Sequence, residues 1–197
     1  MKNTKKGGQT RDKILKCTRK ILITRGFYNT SINDIIKATG VKKGNLYYYF
    51  ASKEDLGIAV LQDARDEFFQ LLEEAFSGST PLEKVNNFLE AILNEQRRRH
   101  FIGGCLFGNT ALEMSDTNSE FARIINKLFI RWSDIIEGHL REAVEMGELV
   151  TDFAPHQLAK LIIASIEGGI MMSRVSKDEK DLVDCIELLK RLLLPVK

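Results

Sequence analysis

Lys42, Lys43, Gly44, Asn45, Tyr47, Tyr48 and Tyr49 crowd one short segment with groups that suit a nucleic acid. Ammonium groups neutralise phosphates, Lys and Asn edges read base edges in the major groove, and tyrosines reach phosphate or stack. A glycine among them lets backbone approach a groove floor that a side chain would keep away. Thr30, Ser31 and Lys53 lie at the starts of neighbouring segments, where hydroxyls and an ammonium can clamp phosphates.

Two short helices must position these groups. Ser31 can cap the first, with Asp34 three residues on as the carboxylate of a capping box. Ile32, Ile35 and Ile36 follow at helical spacing, and Gly40 supplies the left-handed residue of a tight corner. Leu46 and Phe50 anchor the second helix inward. The pattern is a helix-turn-helix whose second helix can enter the major groove. Any glycine between two short helices gives the same outline, so charge distinguishes the readings. Residues 1–50 hold twelve Lys or Arg and two Asp, a net of +10, whereas the other 147 residues hold 17 basic and 25 acidic side chains, a net of −8. A basic, tyrosine-bearing front end on an acidic remainder fits binding to a polyphosphate.

The run Gly26-Phe27-Tyr28-Asn29-Thr30-Ser31, the helix-turn-helix and the run Lys43-Gly44-Asn45-Leu46-Tyr47-Tyr48-Tyr49-Phe50-Ala51-Ser52-Lys53-Glu54-Asp55-Leu56 together resemble the amino-terminal domain of the TetR/AcrR family of transcriptional regulators. The match covers about Thr10 to Leu61. Ile36, Lys42 and Tyr49 depart from the usual Ala, Ser or Thr, and His. The resemblance implies a dimeric regulator bound to a pseudo-palindromic double-stranded DNA operator, a repressor released by a small-molecule effector. It implies no cofactor and no enzymatic activity. The rival is a helical binding protein or enzyme whose basic head holds another anion; no nucleophile–base pair, phosphate loop or metal spacing favours it.

The rest of the chain reads as helix, giving an all-α protein of about nine helices. Residues 1–9 read as a disordered basic arm, 10–52 as the DNA-binding head, and 53–197 as a ligand-binding and dimerisation domain whose first helix ties the two. Ser52 caps that helix, with Leu56, Val60, Ala64, Phe68, Leu71 and Ala75 as its stripe. Thr80, Pro81 and Glu83 open the next. Phe121, Ile125, Leu128, Trp132, Ile135 and Leu140 mark the face of a later long helix. No apolar run approaches the roughly 20 residues of a membrane span. Cys17, Cys105 and Cys185 have no disulfide or metal spacing, and nothing resembles a signal peptide, so a reduced cytoplasmic setting is expected.

Pairing of two copies is expected from Leu161, Ser165, Gly168 and Gly169 on one helix and from Leu182, Ile186, Leu189 and Leu193, at 4-3-4 spacing, on the last. The same residues could instead fill an intramolecular core. Effector contacts are expected among Phe88, Ile92, Cys105, Phe107, Asn109, Glu113, Phe129, Trp132, Ile166 and Met171. Asn109 and Glu113 share a face of an apolar helix, and a buried polar pair requires partners. The stretch Gly103-Gly104-Cys105-Leu106-Phe107-Gly108-Asn109-Thr110-Ala111-Leu112-Glu113-Met114 also resembles a Gly-Cys-Leu…Asn…Glu stretch of one TetR subset, some of whose members sense electrophiles through the cysteine. Cys105 reads equally as a small core residue.

Overall fold

The computed structural model describes residues 2–194, with side chains from residue 8 onward, and among these there are nine α-helices and no strand. They are α1 (Lys2–Arg25), α2 (Ile32–Thr39), α3 (Lys43–Tyr49), α4 (Lys53–Ala75), α5 (Pro81–Arg98), α6 (Leu106–Met114), α7 (Ser119–Glu145), α8 (Pro155–Ser176) and α9 (Lys180–Leu192). Local chemistry accounts for most boundaries. Ser31 Oγ accepts the Asp34 amide at 3.1 Å while Asp34 Oδ2 accepts the Ser31 amide at 2.9 Å, the expected capping box. Gly40 closes α2 in the left-handed region at φ 67°. Ser52 Oγ and Thr80 Oγ1 accept the Asp55 and Glu83 amides at 2.9 and 3.3 Å. Helix α1 differs: it begins at Lys2 rather than Thr10, so residues 2–9 are helical backbone and not the expected disordered arm. No proline interrupts this stretch, and its two glycines cost about 1 kcal/mol each in propensity without stopping it.

The chain divides into two compact units. The first comprises residues 1–67 and 106–125, the second residues 68–105 and 126–197. The dividing lines fall inside α4 and inside α7. This partition differs from the expected boundary at residue 53, because α6 packs on α1 and Phe121, at the start of α7, meets Phe27.

In the first unit α1 packs on α2 and on α6. Ile14, Leu15 and Leu22 of α1, Ile35 of α2, Leu46 and Phe50 around α3, and Leu56, Val60, Leu61 and Ala64 of α4 form the core. Arg19 pairs with Glu67 at 2.6 Å across α1 and α4. In the second unit α9 lies against α8 and α5. Its centre is aromatic: Phe76 stacks on Phe88 at 4.7 Å, and Phe68 meets Trp132 edge-on at 5.1 Å. The buried face of α4 shifts here to Phe69 and Leu72, continued by Phe76 just past its end, leaving Leu71, an expected core residue, 58% exposed. A spacing of four residues overshoots a helical turn, so the stripe rotates along the helix, and each unit buries the face its own neighbours meet. On α7 the fully buried position is Ile136, whereas the expected Ile135 is only half-buried.

The apolar stripe Leu182, Ile186, Leu189 and Leu193 is buried within the protomer against α8 and α5. These four residues therefore belong to the intramolecular core, and the expectation that they form the dimer face is corrected. Gly169 belongs with them: a Cβ there would stand 2.9 Å from Leu182 Cδ1 and 3.1 Å from its Cα. Leu189→Ala is expected to cost about 2–5 kcal/mol in a denaturant titration, the range for truncating a core leucine. A loss below 1 kcal/mol would contradict this packing.

Candidate functional site

The helix-turn-helix holds its expected contact residues in three different situations. Lys42, Lys43, Gly44, Asn45, Tyr47 and Tyr48 are exposed along α3 and its start, with Tyr48 at 82%. Leu46 and Phe50 are buried beneath them and fasten the helix to the first unit. Tyr49 is half-buried, edge-on to Tyr48 at 5.1 Å and near Phe50 at 6.4 Å. Lys43 Nζ sits 6.0 Å from the Tyr47 ring centre, and the Arg11 guanidinium 5.5 Å from that of Phe50. These cation–π contacts hold long basic side chains over aromatic rings at the cost of little desolvation. Lys42, the N-cap of α3, makes no side-chain cap, so amides at that helix start remain for an external acceptor.

Two expected phosphate clamps are redirected by the fold. Thr30 is fully buried, and its hydroxyl donates to the Gly26 carbonyl at 2.6 Å, so its side chain does not face solvent. Lys53 reaches back over the Phe27 ring, Nζ 4.3 Å from its centre. Burial depresses its pKa, opposed by the charges of Glu54 and Glu113. Ser31 stays exposed but is engaged by Asp34, whose carboxyl lies below its usual range chiefly through the Ser31 hydrogen bonds. The sequence held no sign of the Thr30 and Lys53 orientations, because both depend on the corner between α1 and α2.

Gly44 is informative by what surrounds it. A Cβ at this position would meet nothing within 4 Å, and the residue lies in regular helix without positive φ. The protein's own packing and backbone therefore do not require glycine there. The open space leaves room for α3 to approach another surface with its backbone.

The ten expected effector contacts separate. Phe88, Ile92, Cys105, Phe129, Trp132, Ile166 and Met171 belong to the second unit, and Phe107, Asn109 and Glu113 to the first. Phe88, Trp132 and Ile166 are buried; Met171 is 57% exposed and does not line that core. Asn109 Nδ2 donates to the Ile23 carbonyl at 3.4 Å, and Glu113 Oε2 accepts the Phe27 amide at 2.5 Å. The partners that this polar pair required are thus backbone groups at the end of α1. Glu167, which sequence reasoning missed, is held above the normal carboxylate range by burial, opposed by a hydrogen bond with the Cys105 side chain. Glu167 Oε1 and the Trp132 indole Nε1 are buried with no hydrogen-bond partner in the protein. Among the described residues no cluster of His, Cys, Asp or Glu could hold a metal ion.

Apolar exposure on the last two helices falls on a second stripe. Leu161, Met172 and Val175 of α8 and Leu188 and Leu192 of α9 are exposed. A Cβ on Gly168 would meet nothing within 4 Å.

Residues 14–60 match the model for bacterial regulatory proteins of the tetR family, and residues 81–189 match the tetracyclin repressor-like C-terminal domain. The chain is 32% identical over 184 residues to an uncharacterized HTH-type transcriptional regulator of Lactococcus lactis, covering 92% of this chain and 91% of that one. It is 29% identical to the HTH-type transcriptional repressor DhaR of a Mycobacterium species, covering 89% and 87% respectively. A regulatory protein TetR from Rhodobacter sphaeroides superposes with a TM-score of 0.87 at 26% identity, over 93% of this chain and 98% of that one.

Gly44→Ala separates fold from binding. The substitution is expected to raise stability by up to about 1 kcal/mol in a thermal melt, since alanine favours helix and the space is open. It should at the same time weaken duplex binding in a fluorescence anisotropy titration. Unchanged binding would show that backbone approach at Gly44 is not used.

Proposed function

This chain belongs to the tetR family of bacterial regulatory proteins, and on that premise we propose that it is a cytoplasmic homodimeric repressor of a pseudo-palindromic operator, released by a small-molecule effector. Its activity is DNA-binding transcription regulation and not enzyme catalysis. The observation that carries the reading is the exposed, basic face of α3, held by buried Leu46 and Phe50. Lys43 and Asn45 contact bases, the Gly44 backbone approaches the groove, and Lys42, Tyr47, Tyr48 and Tyr49 make flanking or phosphate contacts. Ser31 adds the α2 start. A relative named as a repressor supports repression as the outcome of operator occupancy.

Dimerisation uses the outward stripe of α8 and α9. Leu161, Ser165, Gly168, Met172 and Val175 lie on one face of α8, and Leu188 and Leu192 on α9. Glycine at 168 allows a partner helix close approach, while its neighbour Gly169 serves the protomer's own α9.

The effector occupies the second unit, among Phe88, Ile92, Cys105, Phe129, Trp132 and Ile166. Each buried polar group left without a partner costs about 1–3 kcal/mol. A ligand offering an acceptor to the Trp132 indole or a partner to Glu167 recovers that cost, which supports a pocket at these positions. The Gly-Cys-Leu…Asn…Glu stretch further supports membership of the cysteine-bearing subset. An effector favouring a conformation with the wrong spacing of the two α3 helices releases DNA, since successive major grooves lie about 34–36 Å apart.

Lys43→Ala should weaken specific DNA binding by about 1–3 kcal/mol and relax preference at one base position. Gel-shift titrations against a selected duplex and its single-base variants test this; equal affinity and selectivity would refute the role. Leu188→Asp should shift the light-scattering mass at micromolar concentration from dimer to monomer while leaving the helical circular dichroism intact. A dimer that survives this change places the interface elsewhere.

A further inference from the structure

Glu113 lies within the segment matched by the C-terminal domain model, yet it packs in the first unit, on the corner that begins the helix-turn-helix. Its Oε2 accepts the Phe27 amide at 2.5 Å. Its Oε1 occupies the space where any side chain at Gly26 would begin, and Gly26 has φ +81°. Around this hydrogen bond the same segment makes further contacts with the corner. Asn109 donates to Ile23, Tyr28 Oη and Thr117 Oγ1 share a hydrogen bond at 2.6 Å, and Phe121 meets Phe27 edge-on at 5.1 Å. On the other side, the Gly26 carbonyl accepts the Thr30 hydroxyl, and the Thr30 amide donates to the Phe27 carbonyl at 3.2 Å. Ser31, the N-cap of α2, is the next residue. Hydrogen bonds therefore link Glu113 to Phe27 and Phe27 to Thr30, whose hydroxyl also holds Gly26, and Thr30 is covalently joined to the N-cap of α2.

The sign of the charge is informative. A carboxylate beside the C-terminal end of α1 opposes the helix dipole, and a neutral acceptor would satisfy the Phe27 amide without that penalty. Lys53, over the Phe27 ring and within electrostatic reach of Glu113, offsets it.

We propose that Glu113 is a positioning residue for DNA binding: through the Phe27 amide it sets the α1–α2 corner, and thereby the orientation in which α3 is presented to the duplex. The role rests on the DNA-binding reading above. It assigns Glu113 and Asn109 to the DNA head and removes them from the effector contacts.

The test uses the full-length protein and a duplex selected by it from a randomised pool. Glu113→Ala is expected to lower affinity for that duplex about tenfold, with dimer mass unchanged and helical circular dichroism retained at 10 °C. Glu113→Gln, which keeps a carbonyl acceptor, should restore most of the loss. Exchange of the Phe27 amide, followed by NMR, should accelerate in Glu113→Ala and slow again in Glu113→Gln, while amides of Ile14 and Leu15 stay protected. Wild-type affinity in Glu113→Ala overturns the role, as does loss of affinity without faster Phe27 exchange. Should Glu113→Ala fail to fold, Thr117→Val decides: a roughly threefold loss of affinity supports the clasp and no loss overturns it. Failure of the wild-type protein to select any duplex would instead defeat the DNA-binding reading itself.

Discussion

The reversal of the chain at Gly26-Phe27 is the constraint on which the DNA-binding head depends. Gly26 takes the left-handed conformation that ends α1, and Phe27 turns inward to meet Phe121. Gly57 leaves room for both rings, since a Cβ there would stand 2.6 Å from Phe27 and 2.8 Å from Phe121. Lys53 closes over the outer face of Phe27. Two helices, α4 and α7, thus converge on one phenyl ring, and the hydroxyl of Thr30 is drawn into the corner instead of toward solvent. The Thr30 hydroxyl thereby serves the backbone geometry of the corner.

Helix α3 illustrates why such support is needed. Seven residues are far below the length at which a helix stands alone in water, and this one carries a glycine, no side-chain cap and a single buried side chain, Leu46. Its stability comes from the platform beneath it. That arrangement leaves almost every α3 side chain outside, which is the condition for reading a groove. The second unit follows the opposite logic. Its aromatic centre, with Phe76, Phe88, Phe68 and Trp132 in contact, buries large apolar area, and the buried Trp132 Nε1 and Glu167 Oε1 lack partners within the protein.

Two adjacent glycines on α8 show how finely the two kinds of packing interleave. Gly169 is filled to contact by Leu182 of the same protomer, while Gly168 faces open space one helical step away. The leucines of α9 divide in the same manner: Leu189 is 3% exposed and Leu188 is 68% exposed. An amphipathic helix with two apolar stripes buries one in its own core and leaves the other for a second surface.

The sequence by itself determined whatever is decided within a few residues. The Ser31–Asp34 box, the Ser52 and Thr80 caps and the Gly40 corner all follow from spacing and backbone chemistry, and they appear as read. The all-helical class and the basic head were legible for the same reason. Tertiary structure decided which of two stripes on α9 turns inward, where the buried face of α4 shifts, and that Thr30 and Lys53 turn toward the corner. It also supplied the partners of Asn109 and Glu113, main-chain groups more than eighty residues earlier in the chain. Helical periodicity says that a face is buried but not what covers it. A polar side chain on that face announces a partner whose identity only the packed neighbours can set.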